Sequence, residues 1–151
     1  MSEAFFEEED DQPIAFFVED IDFDWGDTEK TTRWIEDIIA REKRQLQQLT
    51  YIFCSDEYLH QINLEYLQHD DLTDIITFPY SQPPYIEGDI FISIERVKEN
   101  AATYQTSFEQ ELRRVMIHGV LHLCGYPDKT EAEAATMRKK EEEALQIWAE
   151  M

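Results

Sequence analysis

Residues 111–124 restrict the possible folds of this chain more than any other stretch. Leu112, Val115, Met116, Ile117, Val120, Leu121 and Leu123 leave only a narrow polar line around a helical period, so the stretch is expected as a helix buried on nearly every side. His118 and His122 lie on it four residues apart, one turn above each other, where both imidazoles can converge on one atom. Two buried imidazoles need partners. Each ring can be an ordinary core histidine bonded to a carbonyl or carboxylate, or both can bind one divalent metal, which neutral imidazole nitrogen does readily.

The residues after the helix favour the metal. Gly125 is placed to end the helix in a left-handed turn, Pro127 forbids its continuation, and the chain then presents Asp128. Two histidines from a helix and a carboxylate from the next turn leave a tetrahedral ion with an open position, the arrangement of a catalytic rather than a structural zinc site. Water in that position ionises near pH ~7 and becomes a nucleophile. Gly119 stands where many zinc proteases carry a glutamate base between paired helical histidines. Peptide hydrolysis by that route is therefore disfavoured, and the bare glycine is expected to let another element approach closely.

The rest of the chain reads as one α+β domain over residues 13–151, preceded by an acidic, frayed terminus at residues 1–12. Strands are expected at residues 14–20, 46–54, 75–78 and 89–94, the last two forming a local hairpin across a proline-marked loop. Helices are expected from Thr28 as cap to about Lys43, from Ser55 as cap through Leu67 with Leu59, Ile62 and Tyr66 inward, and over residues 95–104. Two more follow, from Ser107 as cap to Gly125 and from Thr130 to Trp148. The expected architecture is a small mixed β-sheet covered by helices, with the metal-binding helix near the carboxyl-terminal third. The last helix is read as a packing helix, and no site is assigned to it.

Charge narrows the partners. The chain carries 34 acidic and 13 basic residues, a net charge of -21, with acidic runs that include residues 141–143. Phosphate backbones attract clustered lysine and arginine, so this balance weakens nucleic-acid binding without excluding it; the acidic runs read first as solvated surface. Cys54 and Cys124 do not form a disulfide framework, and no signal peptide or membrane-spanning run is visible, so a cytoplasmic location is expected.

The run His-Gly-Val-Leu-His-Leu-Cys-Gly-Tyr at residues 118–126 closely resembles the signature of the YbeY family of zinc-dependent endoribonucleases, and residues 72–79 and 88–93 resemble two strands of that family in order and spacing. The resemblance implies a single-domain α+β fold, one zinc ion held by His118, His122 and Asp128, and cleavage of single-stranded RNA. It further implies 3′ maturation of small-subunit ribosomal RNA and ribosome quality control. The expected partners are single-stranded rRNA, the small ribosomal subunit and basic ribosomal proteins, with no membrane and no DNA. Two positions depart from the family pattern. The usual third ligand is a histidine after Tyr-Asp, where this chain has Pro127 and then Asp128, a harder donor that favours manganese or nickel more than imidazole does. Many relatives have an arginine after the position of Tyr66, where this chain has Leu67; His69 is the nearest alternative donor.

Beyond the metal, Arg114 is one turn before His118 and is the candidate for stabilising transition-state charge, its alternative being an arginine paired with a glutamate. Arg113 and Lys129 are weaker candidates. Asp74 and Asp89 are candidates for orienting a metal histidine, or else cap turns. Two other functions stay open at this point: a ribosome-assembly factor whose metal only stabilises the fold, and a metal-dependent hydrolase of another bond.

Overall fold

The computed structural model describes residues 13–24, 26–68 and 73–151. The expectations for residues 1–12 and for His69 lie outside them. Among the described residues the elements run β1 (Ile14–Val18), α1 (Thr28–Arg41), β2 (Gln45–Cys54) and α2 (Asp56–Ile62), which continues into a wider π-type turn (Asn63–Leu67). Then come β3 (Ile75–Pro79), β4 (Tyr85–Ser93), α3 (Ile94–Tyr104), α4 (Phe108–Cys124) and α5 (Glu131–Glu150).

The four strands form one mixed sheet in the order β1-β2-β4-β3, in which β1, β2 and β4 are parallel and β3 runs antiparallel to β4. The hairpin expected from two neighbouring strands is the β3–β4 pair. β2 is central, and its second half from Tyr51 to Cys54 is buried throughout, which explains an apolar run without alternation. In β4 the alternate residues Ile86, Ile90 and Ile92 are fully buried beneath α4.

Capping chemistry sets the helix starts. Ser55 and Ser107 accept backbone N–H groups as expected, and Thr130, expected only as the start of the last helix, caps it with a reciprocal capping box to Glu133. At α1 the cap is Asp27, whose carboxylate accepts from the Lys30 N–H, and Thr28 is the first helical residue. A carboxylate caps as well as a hydroxyl and also faces the positive end of the helix dipole. Two further expectations are corrected. Tyr66 is 65% exposed because the π-type turn rotates it off the buried line. The last parallel strand begins at Tyr85, since pairing with β2 extends it across Gly88.

α4 lies directly on the sheet, as its apolar circumference requires. At Gly119 an added Cβ would meet Ile90 Cδ1 at 2.9 Å and Ile75 Cδ1 at 3.1 Å, so a larger residue would force these isoleucine side chains to shift, and glycine lets the helix sit this close without repacking. The Tyr51 hydroxyl, buried under the helix, donates to the Met116 carbonyl at 3.0 Å. At the far end the Arg44 guanidinium donates through Nε and Nη2 to the Cys124 carbonyl, satisfying an open acceptor where the helix dipole is negative. α5 packs antiparallel along α4, and Trp34 of α1 donates its indole N–H to the Ala144 carbonyl of α5 at 2.8 Å. The histidine-bearing helix is thus fixed against the sheet, against α5 and at its carboxyl end.

Candidate metal centre

His118 and His122 emerge where α4 turns its polar line away from the sheet, with ring centroids 4.5 Å apart. Gly125 ends the helix at φ 112°, a conformation that other residues adopt with strain, and the turn brings Asp128 back over both rings. Asp128 Oδ2 stands 3.3 Å from His118 Nε2 and 3.4 Å from His122 Nε2. Two donors bonded at about 2.0–2.1 Å to one tetrahedral ion stand about 3.3–3.4 Å apart, so these spacings suit a small divalent cation.

The hydrogen bonds at the other ring nitrogens explain why these atoms converge. His122 Nδ1 lies 2.9 Å from the Tyr126 carbonyl, which can only accept, so the proton of the neutral ring belongs on Nδ1. His118 Nδ1 lies 2.7 Å from Glu141 Oε2, likewise an acceptor. Both Nε2 lone pairs therefore face the Asp128 oxygen, and three acceptors aimed at one point repel unless a cation, a metal or protons, lies among them. Burial, the largest single influence on His118, lowers its pKa. The hydrogen bond and charge of Glu141, with the charges of Asp128 and Asp74, outweigh it and leave the pKa raised. The surroundings are built to hold positive charge, and the donor set fits a divalent metal: among the described residues these are the three side chains whose ligand atoms gather closely enough for one.

The site opens on a cleft of about 1130 Å³ walled by the outer face of α4, the β3 edge, the end of α3 and the inner face of α5. Arg114 lines it, as the spacing from His118 predicts, but its guanidinium is held by carboxylates. Nη1 is 3.1 Å from Glu141, Nη2 contacts Glu142, and Nε is 3.8 Å from Glu111. Arg113 is elsewhere, stacked over the Trp148 ring. Lys129 is exposed in the turn, its backbone N–H donating to Glu133.

The acceptors that orient the histidines are not those the sequence suggested. Asp89 accepts from the Tyr80 hydroxyl on the β3–β4 hairpin, away from the rings. Asp74 lines the cleft and accepts from the Asn100 amide at 3.3 Å, acting on His118 only through its charge. The residue that touches His118 is Glu141, from the helix read as packing only and from an acidic run read as solvated surface; it is 7% exposed. Its signal was present in the spacing, because Met137, Glu141 and Ala144 form the buried line of α5. The other missed group, the Tyr126 carbonyl, is a backbone atom and has no sequence signal.

Asp74 supplies a pH-dependent prediction. Burial is the main reason its pKa is raised, partly countered by a hydrogen bond to its own backbone and by the positive charge of His118 and Arg96. With the folded pKa above the unfolded one, its contribution to stability is fully present below the unfolded pKa and is lost as pH rises through the folded one. Asp74→Asn is therefore expected to melt with the native protein near pH ~4 and a few degrees above it at neutral pH. Thermal melts of chelated protein across pH check this; an equal or lower melting temperature at neutral pH would refute it.

By fold and site this is an α+β protein with a helix-borne histidine pair and a turn carboxylate, arranged to hold a metal beside an open cleft. Comparison with known proteins places it more narrowly. Residues 17–149 match the family model described as Endoribonuclease YbeY. A protein of Amoebophilus asiaticus named Endoribonuclease YbeY is 57% identical over 129 residues, covering 85% of this chain and 88% of its own. A Flavobacterium johnsoniae protein of the same name is 48% identical over 132 residues, covering 87% and 95%. The solution structure of a Thermotoga maritima protein superposes with a TM-score of 0.62 at 26% identity, covering 91% of this chain and 92% of that one. The chain belongs to the YbeY family. Among the described residues no helix is long and apolar enough to cross a membrane.

Proposed function

We propose that this protein is a metal-dependent endoribonuclease that cleaves single-stranded RNA, with small-subunit ribosomal RNA and its 3′ maturation as the physiological setting. The observation that carries the reading is the convergence of His118 Nε2, His122 Nε2 and Asp128 Oδ2 at the floor of an open cleft, in a chain whose relatives are named endoribonucleases. Zinc is the proposed ion, since two imidazole donors and one carboxylate suit it, while the carboxylate lets manganese or nickel compete. A divalent ion so held supplies Lewis acidity toward a phosphodiester and toward water at neutral pH.

The chain's own residues do the rest. Glu141 and the Tyr126 carbonyl hold both imidazoles in the Nδ1–H tautomer with Nε2 directed at the site. Asp128, 38% exposed at its side chain, closes the third side and leaves the cleft side open to a substrate. Arg114 offsets the buried charge of Glu141 beside His118. To reach a transition-state phosphoryl oxygen it must exchange Glu142, its 60% exposed partner, for substrate.

The test pairs metal content with activity. Protein purified without added metal or chelator is expected to carry about one equivalent of divalent metal, and to cut single-stranded RNA but not casein in a manner abolished by chelation and restored by zinc. A protein that binds the metal, melts lower when chelated and cleaves no RNA with any divalent ion would instead be an assembly factor with a structural metal.

A further inference from the structure

Among the described residues two arginines line the cleft, Arg114 and Arg138. They differ in one respect that matters for a polyanionic substrate. Arg114 is committed to Glu111, Glu141 and Glu142. Arg138 is exposed and has no carboxylate within ion-pair distance among the described residues. The reason is visible along α5. Its neighbours one turn back are Ala134 and Ala135, which offer nothing, and those one turn ahead are Glu141 and Glu142, engaged by His118 and Arg114.

The position of Arg138 follows from the antiparallel packing of α5 on α4. Glu141 and Glu142 stand opposite Arg114, and Glu141 also reaches His118. One turn toward the amino end of α5 advances along α4 toward His122 and the turn that carries Asp128, so Arg138 sits on the rim beside the metal donors. It also lines a second, shallow depression on α5 with Glu131, Ala134, Ala135 and Lys139. The other cleft-lining ionisable groups include five carboxylates: Asp74, Glu111, Asp128, Glu141 and Glu142. A phosphate entering this cleft is repelled by nearly everything fixed there, and a cation free to meet it is correspondingly important.

Building on the endoribonuclease reading, we infer that Arg138 is the substrate-binding cation of the cleft, contacting a phosphate of single-stranded RNA adjacent to the scissile one. The small side chains of Ala134 and Ala135 leave this depression open for the strand to pass over α5. Arg138 thereby does for substrate binding what Arg114 cannot do while its three carboxylates hold it.

The test compares Arg138→Ala with Arg33→Ala, an exposed arginine of α1 outside the cleft whose loss changes net charge equally. Steady-state cleavage of a fluorescent single-stranded oligoribonucleotide is measured from low to moderate salt, alongside metal content and melting temperature. Arg138→Ala is expected to raise KM about tenfold with kcat within about twofold, and to reduce the slope of log kcat/KM against log salt by about 0.7, the loss of one phosphate contact. Arg138→Lys is expected to recover most of the KM, and metal content and melting temperature to stay native. Native kinetics for Arg138→Ala, or an equal effect in Arg33→Ala, would overturn the assignment while leaving the endoribonuclease reading intact. Absence of cleavage by the native protein would overturn both.

Discussion

His122→Ala is expected to purify with less than a tenth of the native metal and to lose cleavage of single-stranded RNA by a factor on the order of 10³ or more. The magnitude follows from several kcal/mol of charge stabilisation lost with the ion, at about 1.4 kcal/mol per tenfold in rate. The substitution leaves two donors, His118 Nε2 and Asp128 Oδ2, and frees the Tyr126 carbonyl at a part-buried position, where the space left by the 31% exposed imidazole can admit water. Stability without metal should therefore change little. Asp128→His makes the complementary point. It substitutes imidazole for a carboxylate at the most exposed corner of the site and is expected to keep the ion while favouring zinc over manganese. Metal analysis and single-turnover cleavage of both variants check these outcomes; a His122→Ala protein with native metal content would remove the three-donor centre.

The second large effect falls on Glu141, which accepts from His118 Nδ1 at 2.7 Å and from Arg114 at 3.1 Å. Glu141→Gln retains an acceptor for the imidazole but not the charge that raises its basicity. Metal affinity is expected to fall by about 10–100-fold, the usual cost of losing a carboxylate behind a ligating histidine. Glu141→Ala removes both bonds and is expected to cost a further 1–3 kcal/mol or so of stability, because Arg114 keeps only Glu142 and the more distant Glu111. Glu142→Gln is the control, since it touches Arg114 and not His118, and its metal affinity should stay within about threefold of native. Competition with a metal chelator measures all three. Equal loss in Glu142→Gln and Glu141→Gln would assign the effect to the arginine cage and not to the histidine.

Much of the fold was legible because its signals are local. The hydroxyl caps at Ser55 and Ser107, the glycine-ended α4 and the β3–β4 hairpin depend on residues within a few positions of one another. So does the histidine pair, since four residues on a helix is a fixed vector. The misreadings came from effects that act across elements. Tyr66 belonged to an apparently continuous helical pattern, and the π-type turn that exposes it cannot be read from spacing. The start of β4 depends on pairing with β2, which recruits Tyr85 and Ile86 ahead of Gly88.

At the site, the sequence alone determined which residues can ligate and where the helix must stop, because helical period, the conformational freedom of Gly125 and the ring of Pro127 are properties of the chain itself. Tertiary structure alone decided what surrounds those ligands. The antiparallel docking of α5 turns Glu141 from one member of an acidic run into the partner of His118. It gives Arg114 to the neighbouring carboxylates and leaves Arg138 free at the rim. Charge count could not foresee this: which carboxylates neutralise which cations depends on distances between helices, because the attraction weakens with separation and is largely screened beyond about 8–10 Å at physiological ionic strength.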